Sequence, residues 1–417
     1  MNWKRRLEKS WGRLGMKCKL EEICLFRMGK TDVANLTIET YISTENMLPD
    51  KSGIVNATSL PSVDLTQAYE KGDVLVSNIR PYFKKIWKAK SNGGCSNDVL
   101  VFTAKENTDS DFLYYVLADD AFFSYAMATS KGTKMPRGDK KSIMQYEVPC
   151  YDIETQQKIA SILKSIDEKI ELNNAINNNL EQEAVLLFKK WFIEFDNTSR
   201  NMLETRFGLI PDSFKLLKNG ELPLVVTDYV ANGSFASLKA NVTLYQEPNY
   251  AYFIRNTDLK SGTFEVFVDK HSYNFLSKST LYGREIIISN VGDVGSVFLC
   301  PKLDKPMTLG NNIIMLRPEQ ENLRYYLYIW FKWLYGQSLI QGIKGGSAQP
   351  KFNKTDFKNL PIFLPPDDLL EQFHQIVKPM FELIDENKAE NQALTITRDA
   401  LLPKLMSSEL DVSDIDF

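Results

Sequence analysis

Two lysine-rich, glycine-containing segments carry the side chains of this 417-residue chain that are best equipped to bind phosphate. The first basic loop covers residues 131–141 and the second basic loop covers residues 344–354. Lysine and arginine neutralise phosphate, and small hydroxyl and amide groups can hydrogen-bond to base edges. We therefore predict nucleic-acid contacts from the polar side chains of both loops, namely Lys131, Thr133, Lys134, Arg137, Lys140, Lys141, Lys344, Ser347, Gln349, Lys351 and Lys354.

Two other segments supply weaker candidates for the same chemistry. One follows an apolar run that predicts a buried strand, and the other is a glycine-containing stretch in the second half of the chain. Their candidate residues are Arg80, Lys84, Lys85, Ser234, Lys239 and Asn241. A basic turn that is merely solvated is the alternative for all of these segments. The recurrence of a basic loop in both halves favours a binding function.

The sequence motifs of common catalytic sites are absent. There is no phosphate-binding GxxxxGK[ST] loop, no GxGxxG after a strand and no Ser-centred GxSxG turn. The only Pro-Pro pair, Pro365-Pro366, lacks the flanking residues of a DNA methyltransferase motif. Five cysteines without a CxxC pair, together with two histidines, do not match the spacing of a zinc site. We therefore expect no catalytic residue, no metal site and no disulfide framework.

One pattern formally matches a metal-dependent nuclease. Pro366-Asp367 is followed by Glu386-Asn387-Lys388, the order of acidic and basic groups found in many restriction nucleases. Those groups must project together from a strand, whereas here they fall within a helical heptad pattern. Residues two apart on a helix point in different directions, so the sequence argues against a nuclease site.

The net charge of −3 conceals an alternation of charge along the chain. Residues 1–150 and 197–364 carry net charges of +4 and +5, whereas residues 151–196 and 365–417 carry −4 and −8. Two basic blocks of similar length thus alternate with two short acidic blocks, a pattern that indicates modular organisation and invites a search for a repeat.

An internal repeat is present, with an offset of 211 to 214 positions. Each copy predicts buried strands, a Tyr-rich helix at about 111–127 or 322–336, and then a basic loop. The Tyr114-Tyr115 and Tyr325-Tyr326 pairs of those helices are interpreted as core residues. The matched blocks follow the same order in both halves: 73–78 with 285–290, 96–102 with 310–316, 111–115 with 322–326, and 132–137 with 346–351.

A heptad seam follows each copy of the repeat. From Ile159 to Trp191 the apolar residues keep a 4-3 spacing, with Asn173 and Asn177 at the middle of the seam. A single stripe of this kind could equally pack on the core of its own domain. The polar outer faces of the helix favour a helical partner lying alongside it, with the asparagines fixing the register.

The second seam runs from Phe373 to Leu405 in the same frame, with Asn387 and Asn391 at the equivalent positions. Ten of thirty-five residues are identical between 157–191 and 371–405. Pro379 removes one backbone hydrogen bond, so the second helix could bend or restart there.

These helical blocks resemble the conserved regions of the specificity subunits of type I restriction-modification enzymes. The stretch 152–173, with Asn177, Leu180-Glu181 and Trp191-Phe192, resembles the central conserved region of that family. The distal conserved region is similar to Glu371-Gln372-Phe373, Glu390-Asn391, Leu394, Arg398-Asp399 and 401–406. Gly208-Leu-Ile-Pro211 resembles the entry to the family's second recognition domain. The resemblance extends over nearly the whole chain, and the helical blocks are its specific part.

The resemblance implies an α+β fold in which two mixed α/β target-recognition domains are separated by two long helices. These helices would pair as an antiparallel coiled coil with pseudo-two-fold symmetry. The expected boundaries are residues 1–150 and 197–365 for the recognition domains, 151–196 and 366–410 for the helical spacers, and 411–417 for a flexible acidic tail.

The implied role is non-catalytic recognition of double-stranded DNA with a bipartite site. Two modification subunits would dock on the helices and supply AdoMet and methyl transfer. Restriction subunits would supply ATP-driven translocation and Mg²⁺-dependent cleavage, so the chain itself would bind no cofactor. No apolar run is long enough for a membrane span or a secretory signal, so we expect a cytoplasmic protein without a membrane partner.

Antiparallel pairing would place Asn173 opposite Asn391 and Asn177 opposite Asn387. Recognition domains at the two ends of a seam about 50 Å long could reach half-sites about one to one and a half DNA turns apart. Two other functions are compatible with the sequence. One is a self-contained restriction-modification enzyme, and the other is a coiled-coil scaffold protein without a DNA role.

Overall fold

The computed structural model describes residues 17–196, 201–205, 208–346, 349–407 and 409–412. The chain divides into two compact units. Unit 1 comprises Met1–Asn173 and Ala389–Phe417, and unit 2 comprises Asn174–Lys388. Each unit therefore combines a globular part with portions of both long helices. Over the ranges described, no helix has the length and apolar character needed to cross a membrane.

Short strands form most of the globular part of unit 1. They make a four-stranded antiparallel sheet in the order β2-β9-β6-β7, a mixed four-stranded sheet in the order β3-β5-β8-β4, and the pair β1-β10. Their bounds are β1 Lys17–Lys19, β2 Cys24–Phe26, β3 Lys30–Asp32, β4 Tyr41–Ile42, β5 Leu65–Tyr69, β6 Val74–Ser77, β7 Ile86–Lys88, β8 Gly93–Cys95, β9 Val99–Ala104 and β10 Glu147–Pro149.

Strands β6 and β9 are buried on both faces, which explains why each reads as a continuous apolar run. Successive side chains alternate between two clusters. Val74 and Val76 face a cluster that includes Phe112, whereas Leu75 faces a cluster that includes Tyr69. The sheet thus forms the middle layer of unit 1.

The helices of unit 1 cover one side of this sheet. They are α1 Leu20–Ile23, α2 Ser110–Ala118, α3 Asp120–Ala128, α4 Lys140–Met144 and the long α5 Ile153–Phe192, which continues into unit 2. The single Tyr-rich helix predicted at 111–127 is in fact two helices. Asp119 adopts an extended conformation (φ −64°, ψ 137°) and its carboxylate accepts a hydrogen bond from the Ala121 amide. An aspartate that caps a new helix ends the preceding one.

Unit 2 repeats the central sheet in the order β14-β22-β19-β20, and adds a five-stranded sheet β15-β17-β16-β21-β18 and the pairs β13-β23 and β11-β12. Its strands are β11 Met202–Thr205, β12 Gly208–Pro211, β13 Lys215–Lys218, β14 Leu224–Asp228, β15 Leu244–Tyr245, β16 Ala251–Ile254, β17 Phe267–Val268, β18 Thr280–Leu281, β19 Ile286–Ser289, β20 Val297–Leu299, β21 Met307–Leu309, β22 Ile313–Pro318 and β23 Pro361–Leu364.

The repeat is confirmed at the level of strand register. Ser77 pairs with Val99 in unit 1, and Ser289 pairs with Ile313 in unit 2. Each residue of the second pair lies 212 or 214 positions after its counterpart, the offsets found in the sequence. The two central sheets are therefore copies of one another.

The helices of unit 2 are α6 Phe235–Asn241, α7 Asn256–Ser261, α8 Lys270–Phe275, α9 Asn322–Lys332, α10 Leu334–Gly342, α11 Lys354–Lys358 and α12 Asp367–Met406, the last continuing into unit 1. The helix predicted at 322–336 also breaks, at Trp333, which is 214 positions after Asp119. Gly336 permits this corner, because a Cβ there would lie 2.1 Å from the Trp330 carbonyl oxygen.

The predicted antiparallel pairing of α5 and α12 is confirmed within each unit. In unit 1, Asn173 Nδ2 donates to Asn391 Oδ1 at 2.9 Å. In unit 2, Asn387 Nδ2 donates to Asn177 Oδ1 at 2.8 Å. From the first pair to the second, the residue number on α5 increases by four while that on α12 decreases by four. The two helices therefore run in opposite directions. Both helices contain 40 residues, and α12 passes through Pro379 without interruption.

The ends of the seams pack on the globular cores rather than only on each other. Ile159 and Leu163 of α5 join Leu402 of α12 in the unit 1 core. Phe188 of α5 and Phe373 of α12 lie in the unit 2 core. Packing on the domain core and pairing between helices therefore both occur, at different positions of the same stripe.

The two units differ at one pair of equivalent contacts on these helices. In unit 1, Arg398 Nη1 lies 2.8 Å from Asp167 Oδ1, and Tyr115 donates to Asp167 Oδ2 at 2.8 Å. Burial opposes the charge of Arg398, but the bond to Asp167 outweighs it and raises the pKa of the guanidinium. The residues 214 positions from Asp167 and Arg398 are Phe381 and Ala184, both buried. The ion pair of Asp167 with Arg398 therefore breaks the pseudo-symmetry at these positions.

Candidate nucleic-acid interface

The first basic loop begins as a narrow hairpin anchored on the end of β6. The Lys131 amide donates to the Arg137 carbonyl at 2.9 Å, and the Arg137 amide donates back to Lys131 at 3.0 Å. The Arg80 amide donates to the Pro136 carbonyl at 2.8 Å. The sequence predicted contacts both in this loop and in the segment after β6, and the structure brings the two together.

The second basic loop has the same anchoring. Gly345 and Lys351 exchange two amide-to-carbonyl hydrogen bonds of 2.9 Å, and the Gly292 amide donates to the Pro350 carbonyl at 2.9 Å. These residues lie 212 or 214 positions after their counterparts in unit 1. The backbone that presents the basic loop is therefore duplicated together with the sheet.

The side chains of the first basic loop are largely open to solvent. Lys131 forms an ion pair with Asp139, yet 80% of its side chain remains exposed. The hydrogen bond from the Lys131 amino group keeps the pKa of the Asp139 carboxyl well below its usual value. Arg137 Nη2 lies 3.1 Å from Asp98 Oδ1. The other candidates in this loop are also exposed: Thr133, Lys134, Lys140 and Lys141.

The second basic loop presents fewer exposed cations. Lys344, Gln349 and Lys351 are exposed, whereas Lys354 Nζ lies 2.8 Å from Asp228 Oδ1 and is partly buried. Ser347 lies outside the described residues. The two loops thus share a backbone arrangement but differ in the side chains that they offer.

The weaker candidates fall into two places. Arg80, Lys84 and Lys85 occupy the turn after β6, beside the first basic loop. The amino group of Lys84 lies 2.8 Å from Asp120 Oδ2, and that of Lys85 donates to the Thr44 carbonyl at 2.6 Å. Burial lowers the pKa of Lys85. Both amino groups are therefore engaged within the protein.

The candidates of the second half lie on or next to α6. Ser234 caps this helix by accepting a hydrogen bond from the Ser237 amide at 3.3 Å, and Asn241 Nδ2 donates to the Ser237 carbonyl at 2.9 Å. Lys239 is exposed. Helix α6 packs through Leu238 in a cluster with residues of the five-stranded sheet. The second basic loop instead lies at the end of β19, in the central sheet.

Comparison with known proteins identifies the family of this chain. Residues 16–182 and 227–396 match the family model of the type I restriction modification DNA specificity domain. The chain belongs to this family. The first matched range contains a central sheet, a basic loop and part of α5. The second begins within β14 and contains the rest of a central sheet, a basic loop and part of α12, so the family domain occurs twice.

Curated relatives of this chain are specificity subunits. The type I restriction enzyme MjaIX specificity subunit of Methanocaldococcus jannaschii is 28% identical over 83% of this chain and 79% of its own length. The HindI specificity subunit of Haemophilus influenzae is 25% identical over 89% of this chain and 94% of its own length. A crystal structure of the type I restriction-modification S subunit from M. genitalium shares the fold, with a TM-score of 0.53, 18% identity and coverage of 95% and 96% of the two chains.

Two aromatic residues in the turn after β6 were not among the contacts predicted from the sequence of this specificity protein. Tyr82 and Phe83 lie between Arg80 and Lys84, and 48% of Tyr82 and 38% of Phe83 are exposed. The available signal was an aromatic pair enclosed by basic residues, a combination typical of nucleic-acid surfaces. Within the described ranges, no group of three His, Cys, Asp or Glu residues could hold a metal ion.

Proposed function

We propose that this chain is the DNA-recognition subunit of a type I restriction-modification complex, in which each half reads one half of a bipartite duplex site. The observation that carries the proposal is the duplicated anchoring of an exposed basic loop at the end of β6 and again at the end of β19. Phosphate contacts from such loops position a protein on DNA, and neighbouring polar side chains can read bases. The candidate contacts are those described above.

The long helices are proposed as the docking surface for protein partners. The helical blocks carry net charges of −4 and −8, which would repel phosphate, whereas the basic blocks would attract it. We infer that two modification subunits bind along the helices and that restriction subunits complete the complex. AdoMet, ATP and Mg²⁺ would then be bound by those partners, and this chain would contribute no catalytic group. We propose that the protein acts in the cytoplasm.

Copurification with methyl-transfer assays tests this assignment. Co-expressed with a modification subunit from the same organism, the chain should copurify with it, and the complex should methylate duplex DNA at one bipartite sequence. The chain alone should transfer no methyl group, because the methyl-transfer site belongs to the partner. Methylation by the chain alone would favour a self-contained enzyme, and a complex that binds no DNA would favour a scaffold.

We further propose that the paired helices set the distance between the half-sites. Forty residues of α-helix extend about 60 Å, close to two turns of DNA. The asparagine pairs Asn173–Asn391 and Asn177–Asn387 each have one buried member, Asn173 and Asn387. These pairs favour one alignment of the two helices, since a slipped alignment would place a buried amide against an apolar side chain. Two helices of fixed length in a fixed alignment would hold the recognition domains a fixed distance apart, and so set the distance between the half-sites.

Lengthening both helices by one heptad should lengthen the non-specific spacer of the DNA site. Seven residues inserted between Ala175 and Ile176, and seven between Lys388 and Ala389, keep the seam in frame and fall between the two asparagine pairs. The added length is about 10 Å, or about three base pairs. Methylome mapping of the assembled complex should return both original half-sites with the longer gap.

The matched control inserts the seven residues into α5 alone, which leaves the two helices unequal and should impair assembly. An assembled double-insertion complex that methylates at the original spacing would show that the helices do not set the gap.

A further inference from the structure

The turn after β6 presents an exposed aromatic pair, which we call the aromatic tip (residues 80–85). A short 3-10 helix, Pro81–Phe83, carries Tyr82 and Phe83. Their ring centroids lie 4.7 Å apart with an interplanar angle of 50°. Each ring therefore packs on the other while 48% of Tyr82 and 38% of Phe83 remain exposed, which leaves some apolar surface available for a partner.

The backbone of the tip is held in a strained conformation. Arg80 and Lys84, on either side of the aromatic pair, have φ values of 50° and 49°. Asp50 and Lys51 have φ values of 52° and 61°, and their amides donate to the carbonyls of Phe83 and Lys84 at 2.9 and 3.0 Å. Left-handed conformations of non-glycine residues are unfavourable and cluster at functional sites. The tip is thus built to hold its rings in one position.

The lysines near the tip are held by contacts within the protein. Lys51 and Lys84 each form a 2.8 Å ion pair with Asp120. Burial opposes the charge of this carboxylate, but the two lysines outweigh it and lower its pKa. The Arg80 amide joins the tip to the first basic loop through Pro136. Phosphates that approach the first basic loop would therefore bring the base stack towards the rings.

The equivalent turn of unit 2 has no such pair. The residues 212 positions after Tyr82 and Phe83 are Val294 and Gly295. Val294 packs on the core of unit 2, and a Cβ at Gly295 would lie 2.8 Å from the Gln337 side-chain oxygen. Asp293 beside them forms an ion pair with Lys260 at 2.5 Å. This turn is closely packed and carries no aromatic pair at the equivalent positions, so the aromatic tip is a feature of the first half.

We propose that Tyr82 and Phe83 form an apolar wedge that enters the duplex at the half-site of the first domain and partly unstacks one base step. Proteins that deform DNA insert apolar side chains between base steps in this way. The proposal rests on the proposed function. It adds that the DNA is deformed at one half-site and not at the other.

Base unstacking can be measured with 2-aminopurine, whose fluorescence rises when it leaves the stack. The base is placed at successive positions of the methylated site, and each duplex is bound by the complete complex with its modification subunits. The wild type should raise the fluorescence at one step of one half-site, in addition to any signal at the methylated bases.

The double variant Tyr82→Ala, Phe83→Ala should lose that signal and bind the site about 10- to 100-fold more weakly, since stacking of a base on an aromatic ring contributes strongly to binding affinity. Tyr82→Phe keeps both rings and should behave as the wild type. Phe235→Ala, which removes an 83% exposed aromatic from unit 2, is the matched control. Thermal unfolding should be unchanged in Tyr82→Phe and Phe235→Ala, and the double variant should still unfold in one cooperative transition above the assay temperature, which separates loss of the rings from loss of the fold.

Three results would overturn the wedge. A double variant with unchanged fluorescence and site affinity would reject it and leave the proposed function intact. Loss of modification-subunit binding with normal folding would make the tip a protein contact instead. A wild-type complex that prefers no DNA sequence would overturn both the wedge and the proposed function.

Discussion

Reversing the charge of Lys131 and Lys134 together should weaken DNA binding by roughly 30-fold or more near physiological salt, without impairing assembly. Both side chains are exposed at the hairpin that is anchored on β6. Each phosphate contact contributes a slope of about 0.9 in the logarithm of affinity against the logarithm of salt concentration. The Lys131→Glu, Lys134→Glu variant should therefore lose about two units of salt slope, measured by fluorescence anisotropy across a salt series.

The matched control reverses two lysines at the other end of the same sheet. Lys71 precedes β6 and Lys105 follows β9, whereas the hairpin contacts the residues that follow β6. Lys71→Glu with Lys105→Glu changes the net charge equally, so a specific contact predicts a much smaller effect. Equal losses in the two variants would mean that net charge, and not the first basic loop, governs binding.

The repeat and the two heptad seams could be predicted because both follow from periodicity. A strand buried on both faces leaves a continuous apolar run, and a seam leaves a 4-3 spacing, wherever the rest of the chain lies. The antiparallel direction came with the family resemblance. Given that direction, the repeat places Asn173 opposite Asn391 and Asn177 opposite Asn387.

The breaks in the Tyr-rich helices could not be predicted from apolar spacing. Asp119 caps a new helix, but its sequence neighbours remain apolar on both sides, so the periodic pattern continues through the break. The break at Trp333 depends on Gly336, whose missing Cβ allows a close approach to the Trp330 carbonyl. Tertiary contacts decide both positions.

The engagement of individual cations could not be predicted either. The sequence predicts DNA contacts from Lys354 as from Lys134, and weaker ones from Lys84 and Lys85. In the structure, Lys84 and Lys354 pair with aspartates that are distant in sequence, and Lys85 bonds to a carbonyl of another loop. Such pairings depend on the fold and cannot be predicted from the local sequence.

Exchange of one recognition domain is the most direct test of the central claim, that each half of the chain reads its own half-site. Each unit has its own central sheet, core and anchored basic loop, so each should keep its specificity when the other is replaced. The exchange replaces residues 1–150 by the equivalent domain of a relative with a different methylated site, and leaves both long helices unchanged. The reciprocal exchange of residues 197–365 is the matched control.

The measurement is methylome sequencing of cells that carry the exchanged chain and its modification subunits. We expect one half of the bipartite motif to change to that of the donor, while the other half and the spacer keep their original sequence and length. The reciprocal exchange should change the opposite half. A motif altered in both halves, or in neither, from an assembled and active complex would contradict independent reading by the two domains.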